Sequence, residues 1–494
     1  MRKLAVLVCC LVIAAMAVPA MAASKIDFEG KLIVLHHNLY NFNRASEKDY
    51  AQSDSFFESR LHFGVDFKPN DDVLVHWSFR APDYVRWGVA TQGNSNAAEV
   101  YTRAIYATIT QDWGALSIGR LEEEFPTSHQ GLATLGYSYG GDYIYTLPFD
   151  NSSVVDGISY TKKFDNGFGI NVYYAKDETQ DPNADTPNRY KDVDKDRFGV
   201  EPFYQWTDGG VAINFEYVRD MTDEYDYDNN PPTLEDERVK DYAFFINPAV
   251  TQTWGAFSVR FEGKIGWGEA TWRDVNDNVK YKEKQEGLGF YLEGNYNYGA
   301  GDINLMAWYA DGSNVDERYD ETGKKTTHDL VNMGDFAPFL VAYYGNTLPN
   351  RVSSYNDFSA WGAGSAMVYL QDDRGILGDG SNHWGIGILG NHSFTDKIKV
   401  NYGLGFFRLV EPYWTKKWVR KEFGVEVPTQ DKNLGVEIDL GVHIDLIDNV
   451  SFESQFGYMF NGKAYKNLEI KNDRLVFEDP KDTFAWVSAL TVSF

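Results

Sequence analysis

The chain of 494 residues carries 46 Lys and Arg against 72 Asp and Glu, a formal net charge of −26, 16% aromatic residues and only 2 Cys. A mean hydropathy of −0.43 excludes a polytopic helical membrane protein, which needs repeated apolar runs of ~20 residues. The acidic balance argues against nucleic acid as a partner, because such binders carry a basic footprint.

In chain order, Arg2 and Lys3 precede an apolar stretch over 4–18, and Ala20-Met21-Ala22 is a small-residue cleavage pattern. This order predicts a secretory signal peptide over 1–22 and a folded domain over 23–494. Cys9 and Cys10 leave with the signal, so the remainder has no disulfide, thiolate metal site or cysteine nucleophile.

The next element sets the pattern for the rest. Phe57, Leu61, Phe63, Val65 and Phe67 alternate with Glu58, Arg60, His62, Gly64 and Asp66. The period of two returns where Phe257, Val259, Phe261, Ile265 and Trp267 alternate with Ser258, Arg260, Glu262, Lys264 and Gly266. Leu288, Phe290, Leu292 and Tyr296 then alternate with Gly289, Tyr291, Glu293 and Asn295. Over 434–446 every even residue is aliphatic and every odd one is Gly, acidic or His; 450–460 repeats the theme with Phe452, Phe456, Tyr458 and Phe460.

Alternation of this kind means a strand with two unlike faces, and a slip of one residue would exchange them. Such stretches exceed the usual strand of about five or six residues and match the ~9–11 that a tilted strand needs to cross a bilayer. A sheet spans lipid only if it closes, because an open edge leaves unpaired backbone groups in hydrocarbon. The expected fold is therefore all-β, a transmembrane antiparallel β-barrel. Only alternate residues need be apolar, which reconciles it with the polar average.

Connections alternate between short and long. Lys68-Pro69-Asn70-Asp71-Asp72, Asp165-Asn166-Gly167 and Ile447-Asp448-Asn449 are among eight short ones; nine long ones include 121–152, 269–286, 311–382 and 409–432. Seventeen connections predict about 18 strands, with 16 and 20 open, short turns on the periplasmic side and long loops outside. The segment 311–382 holds apolar stretches at 336–345 and 361–370, either a further hairpin or a segment folded into the lumen or over the mouth. Pro202 inside a strand predicts a bulge. Trp113, Trp206 and Trp254 beside short turns predict an interfacial aromatic belt. The acidic run at Asp192, Asp194 and Asp196, and that over 223–228, lack the spacing of a calcium loop and read as solvated loops.

The chain ends on an alternating strand, Phe484, Trp486, Ser488, Leu490, Val492 and then Phe494. An aromatic last residue on such a strand resembles the address that the barrel-assembly machinery reads. Residues 55–176 resemble the general diffusion porins of Gram-negative outer membranes. The resemblance lies in Trp113-Gly114-Ala115-Leu116-Ser117-Ile118-Gly119-Arg120, in Gly140-Gly141-Asp142 within a long loop, and in Val155-Asp156-Gly157-Ile158-Ser159-Tyr160.

The resemblance implies a homotrimeric outer-membrane barrel in contact with lipid and lipopolysaccharide. It implies passive diffusion of small hydrophilic solutes and ions, with the loop at about 121–152 folded inward. Basic wall residues Arg60, Arg80, Arg103 and Arg120 would then face Glu122, Glu123, Glu124 and Asp142 across a constriction. Arg120 shares parity with Leu116 and Ile118, so it needs a bulge to turn inward. On the luminal wall, Glu58, Glu216, Glu262, Glu293, Glu437, Asp439, Asp445 and Glu453 predict a mild preference for cations.

One rival is a substrate-specific sugar channel with Tyr101, Tyr173, Tyr291 and Trp308 as a stacking slide. Another is a non-conducting barrel plugged by 311–382. No nucleophile elbow, phosphate loop or helical His pair is present, so neither an enzyme nor a cofactor or metal is expected.

Overall fold

The computed structural model describes residues 25–41, 53–86, 101–121, 155–179, 194–220, 238–273, 279–318, 324–328, 330–331, 339, 382–424, 426–471 and 474–494. Among them, no helix is long and apolar enough to cross a membrane, so any crossing falls to strands. In chain order these are β1 (Lys25–Tyr40), β2 (Ser53–Asn70), β3 (Val73–Arg86), β4 (Tyr101–Gln111), β5 (Gly114–Leu121), β6 (Val155–Lys163) and β7 (Phe168–Thr179). There follow β8 (Asp194–Trp206), β9 (Gly209–Asp220), β10 (Arg238–Trp254), β11 (Phe257–Arg273), β12 (Val279–Asn297), β13 (Gly301–Ala310) and the two-residue β14 (Thr326–Thr327). The last are β15 (His383–Thr395), β16 (Ile398–Leu409), β17 (Asn433–Ile447), β18 (Val450–Asn461), the external hairpin β19 (Asn467–Lys471) and β20 (Arg474–Glu478), and β21 (Thr483–Ser493).

Leaving out β14, β19 and β20, eighteen strands pair antiparallel in sequence order, and β21 returns to β1. The ring is closed at the number the connections predict. At the seam Gly30 N–H donates to the Phe494 carbonyl (2.7 Å), and Phe494 N–H donates back (2.9 Å). Closure leaves no edge to face hydrocarbon, the condition for a β-structure in lipid. Because β13 pairs directly with β15, the intervening 311–382 adds no hairpin to the wall.

Register carries one parity around the whole ring. Gly405 pairs with Glu437 and Glu437 with Met459; likewise Gly403, Asp439 and Gly457 lie side by side. The opposite parity is apolar and exposed: Leu305 and Leu440 present 61% and 55% of their surface, and Phe215, Leu292, Leu404 and Trp486 join them. A soluble protein does not leave so continuous a band of large apolar side chains uncovered; a lipid-facing barrel does. Trp113, Trp206 and Trp254 are exposed beside the short turns, where an interfacial belt belongs.

Three local expectations are corrected. Pro202 causes no bulge, since the β7–β8 and β8–β9 registers run unshifted past it. The ladder to β9 instead omits Glu201 and Pro202, so the missing donor is absorbed without an inserted residue. The predicted long connection 269–286 shrinks to 274–278, because β11 and β12 continue together beyond the apolar band. In that upper part the outer face is polar, with Lys282 paired to Glu269, so nothing in its hydropathy marks it as strand. Asp194 and Asp196 belong to β8 and not to a loop; Asp196 is held by Arg219 and by Tyr174 Oη (2.8 Å).

Above the wall, the connection from β16 to β17 folds into a small core. Thr415 caps the helix Lys416–Phe423 and Gly424 ends it in the left-handed region, φ 68°. Trp414, Trp418 and Val419 of this connection are buried together with Leu409, Leu434 and Tyr465.

Candidate functional site: the lumen and its inward segment

The inner wall carries charged side chains on several strands. On β7, β8 and β9, Tyr173 Oη donates to Glu216 Oε2 (2.7 Å), Asn214 Nδ2 donates to Tyr173 Oη (3.0 Å), and Arg197 Nε lies 3.9 Å from Glu216. All four are buried. Arg260 and Glu262 of β11 are likewise buried on the inward parity, and Tyr291 Oη donates to Glu293.

Near the short turns the wall carries His–carboxylate and Lys–carboxylate pairs. His443 sits between Glu453 (2.8 Å from Nδ1) and Asp445 (3.1 Å from Nε2). His76 Nδ1 lies 2.7 Å from Asp66, and Asp27 lies between Lys25 (2.8 Å) and Lys68 (3.6 Å).

Of the wall acids named from sequence, Glu216, Glu262, Glu293, Glu437, Asp439, Asp445 and Glu453 all occupy inward register positions, as does the backbone of Glu58. The constriction residues divide. Arg60 pairs with Ile33 and Arg80 with His62, both at inward positions of the ring. Arg103 is the residue skipped where the β3–β4 register shifts between Ser78 and Phe79. Arg120 is corrected: it pairs with Ile105 and Asp156 without a bulge, keeps the outward parity of Ile118, and is exposed. Glu122, Glu123, Glu124 and Asp142 lie outside the described residues.

The described part of 311–382 enters the barrel. β14 adds in parallel to β12 at Lys284 and Gln285, on the edge that β12 presents beyond the end of β13. Leu330 N–H then donates to the Glu286 carbonyl (3.2 Å), and Val331 is fully buried against Gly287. Farther on, Phe339 is fully buried in a socket on the inner wall. A Cβ on Gly387 or Gly405 would come within 2.6 or 2.7 Å of its Cζ, and one on Gly403 within 3.4 Å of Cε1. Phe407 meets the ring edge-on at 5.2 Å and Trp308 lies at 6.2 Å. Three glycines on two adjacent strands thus form a recess that only a lumen-side group can fill.

This packing also removes the aromatic slide. Tyr173, Tyr291 and Trp308 are buried, the last beneath Phe339, so they offer no free ring face to a passing solute. The side chain of Tyr101 is outside the description.

A closed eighteen-stranded wall, apolar outside and charged within, is that of an outer-membrane channel. A family model described as Gram-negative porin matches residues 9–235. No curated protein matches the chain. Among solved structures, the chain is similar to in-vitro folded OmpT, an outer membrane protein of Vibrio cholerae: 12% identity over 97% of this chain and 100% of that one, TM-score 0.39. An anion-selective porin from Comamonas acidovorans gives 11% identity over 95% and 100%, TM-score 0.43. The outer membrane protein opdK from Pseudomonas aeruginosa gives 10% over 95% and 99%, TM-score 0.43.

Proposed function

We propose that the barrel passes small hydrophilic solutes and ions by passive diffusion across the outer membrane, with a mild preference for cations. The observation that carries this is the inward register of Glu437, Asp439 and Glu453 on neighbouring strands, opposite the outward band of aliphatic residues. A ring of fixed acids raises the local concentration of cations. The preference stays mild because Arg197, Arg260, His443 and Lys68 interrupt the acids, and water screens charge beyond about 8–10 Å.

The same reading gives the narrowing to the Phe339-bearing segment together with Arg60 and Arg80 at their inward positions on β2 and β3. It includes a homotrimer in contact with lipopolysaccharide, removal of 1–22 on export, and recognition of Phe494 by the barrel-assembly machinery. The test is the zero-current potential of the purified protein in a planar bilayer under a KCl gradient. A potential of the sign for cations supports the proposal, and a neutral or anion-selective value overturns the preference. Absence of conductance steps overturns the channel and favours a plugged structural barrel.

A further inference from the structure

We propose that a row of amides with Asp302 at its end, low on the lumen wall, is a binding station for neutral polyhydroxylated solutes, sugars being the chemical class. The proposal rests on the channel reading above and names a solute for it.

The row is set by register. Asp302 of β13 pairs with Asn391 of β15, Asn391 with Asn401 of β16, and Asn401 with Gly441, which pairs with Gln455 of β18. All are inward positions. Two residues above Asp302, Asn304 pairs with Asn295 of β12. The side chains are already linked: Asn295 Nδ2 donates to Asn304 Oδ1 (2.7 Å), and Asn304 Nδ2 donates to Asp302 Oδ1 (3.2 Å). Asn295, Asp302, Asn304 and Asn391 are half-buried and remain in part open to the lumen.

A second, independent observation comes from Asn401. Asn401 is 4% exposed, and among the described residues its Nδ2 has no hydrogen-bond partner. An amide donor held out of water without an acceptor is costly, so such a group calls for a reason. An acceptor brought by a solute supplies one.

The chemistry of the row selects the solute class. An amide both donates and accepts, as a sugar hydroxyl does, and the Asp302 carboxylate at the end of the row accepts from a hydroxyl. An apolar ledge lies directly above. One inward position higher than Asn391 and Asn401 are Leu389 and Gly403, and a Cβ on Gly403 would meet Leu389 Cδ2 at 2.7 Å and the Phe339 ring at 3.4 Å. A sugar presents a hydroxyl rim and an apolar C–H face, which match the amides and the ledge in turn. A few such bonds, each exchanged for a bond to water, give weak binding, as a station on a diffusion path requires.

The test uses the full-length protein in planar bilayers, with sucrose, raffinose and a polyethylene glycol of similar hydrodynamic radius added to KCl. The expected result is saturable block by the two sugars, and with the polymer only the proportional fall that follows bulk conductivity. In Asn304→Ala/Asn391→Ala and in Asn401→Asp, the half-blocking sugar concentration rises about tenfold for one lost pair of bonds, while KCl conductance is kept. Normal KCl steps with no saturable block, or block unchanged in both folded variants, overturn the amide station and leave the channel standing. Absence of KCl steps from the unaltered protein overturns the channel reading, and the station with it.

Discussion

Phe339→Ala tests whether the segment between β13 and β15 governs the width of the lumen. The ring is fully buried, seated on Gly387, Gly403 and Gly405 and flanked by Phe407 and Trp308. An aromatic side chain buries about 150–250 Å², which at about 25 cal/mol/Å² is roughly 4–6 kcal/mol. Truncations of Phe to Ala in packed cores cost about 3–5 kcal/mol. Taking about 4 kcal/mol, the ratio of seated to released segment falls about a thousandfold, since each 1.4 kcal/mol is tenfold. The wall itself loses nothing, because every strand keeps its ladder.

Gly405→Leu makes the complementary change, filling the recess from the wall and expelling the ring. Single-channel conductance in planar bilayers is the assay, with heat-modifiable electrophoretic migration as the check that the barrel is closed. Both variants are expected to conduct more, with added open-channel noise. If both fold and conduct like the parent, the seated ring does not hold the narrowing element and the reasoning is wrong.

Leu440→Arg places a charge on the outer face and costs about 2–4 kcal/mol near the midplane; urea titration of folding into lipid vesicles measures it, and an unshifted midpoint contradicts the lipid assignment. Glu437→Gln together with Asp439→Asn is expected to lower the cation preference in the zero-current potential, and Arg120→Ala to leave it unchanged because Arg120 faces outward. A response to Arg120→Ala alone contradicts the register. Deleting Phe494 removes both backbone bonds to Gly30 at the seam, so the yield of closed barrel in vesicle refolding should fall; equal yield and rate argue against this contact as the closing step.

The wall was legible in the sequence because its cause is local. Residues 434–446 alternate strictly, and one strand then fixes the faces of its neighbours through antiparallel pairing. The strand number followed from counting turns, whose Asp, Asn and Gly residues announce themselves. Where the barrel leaves the membrane the signal vanishes: β11 and β12 run on with polar residues on the outer face, and alternation of apolar with polar no longer marks a strand. The contents of the lumen were mostly illegible for a different reason. The recess for Phe339 draws Gly387 from β15 and Gly403 and Gly405 from β16, and the amide row takes about one residue from each of several strands. Neither exists until register aligns positions far apart in sequence. Arg120 could be assigned from parity alone, and the family resemblance pointed the other way; the unbulged register followed the parity.

The most direct test of the two-faced wall exploits the cysteines, both of which lie within the predicted signal peptide at Cys9 and Cys10. Single cysteines placed in turn along 436–444, each spin-labelled in the reconstituted protein, report their surroundings by collision with lipid-soluble oxygen or a water-soluble nickel chelate. Oxygen contact should peak at the even positions, among them Ile438 and Leu440, and chelate contact at odd positions such as Asp439 and Gly441, with a period of two. A flat profile, or one with the two parities exchanged, would contradict the account.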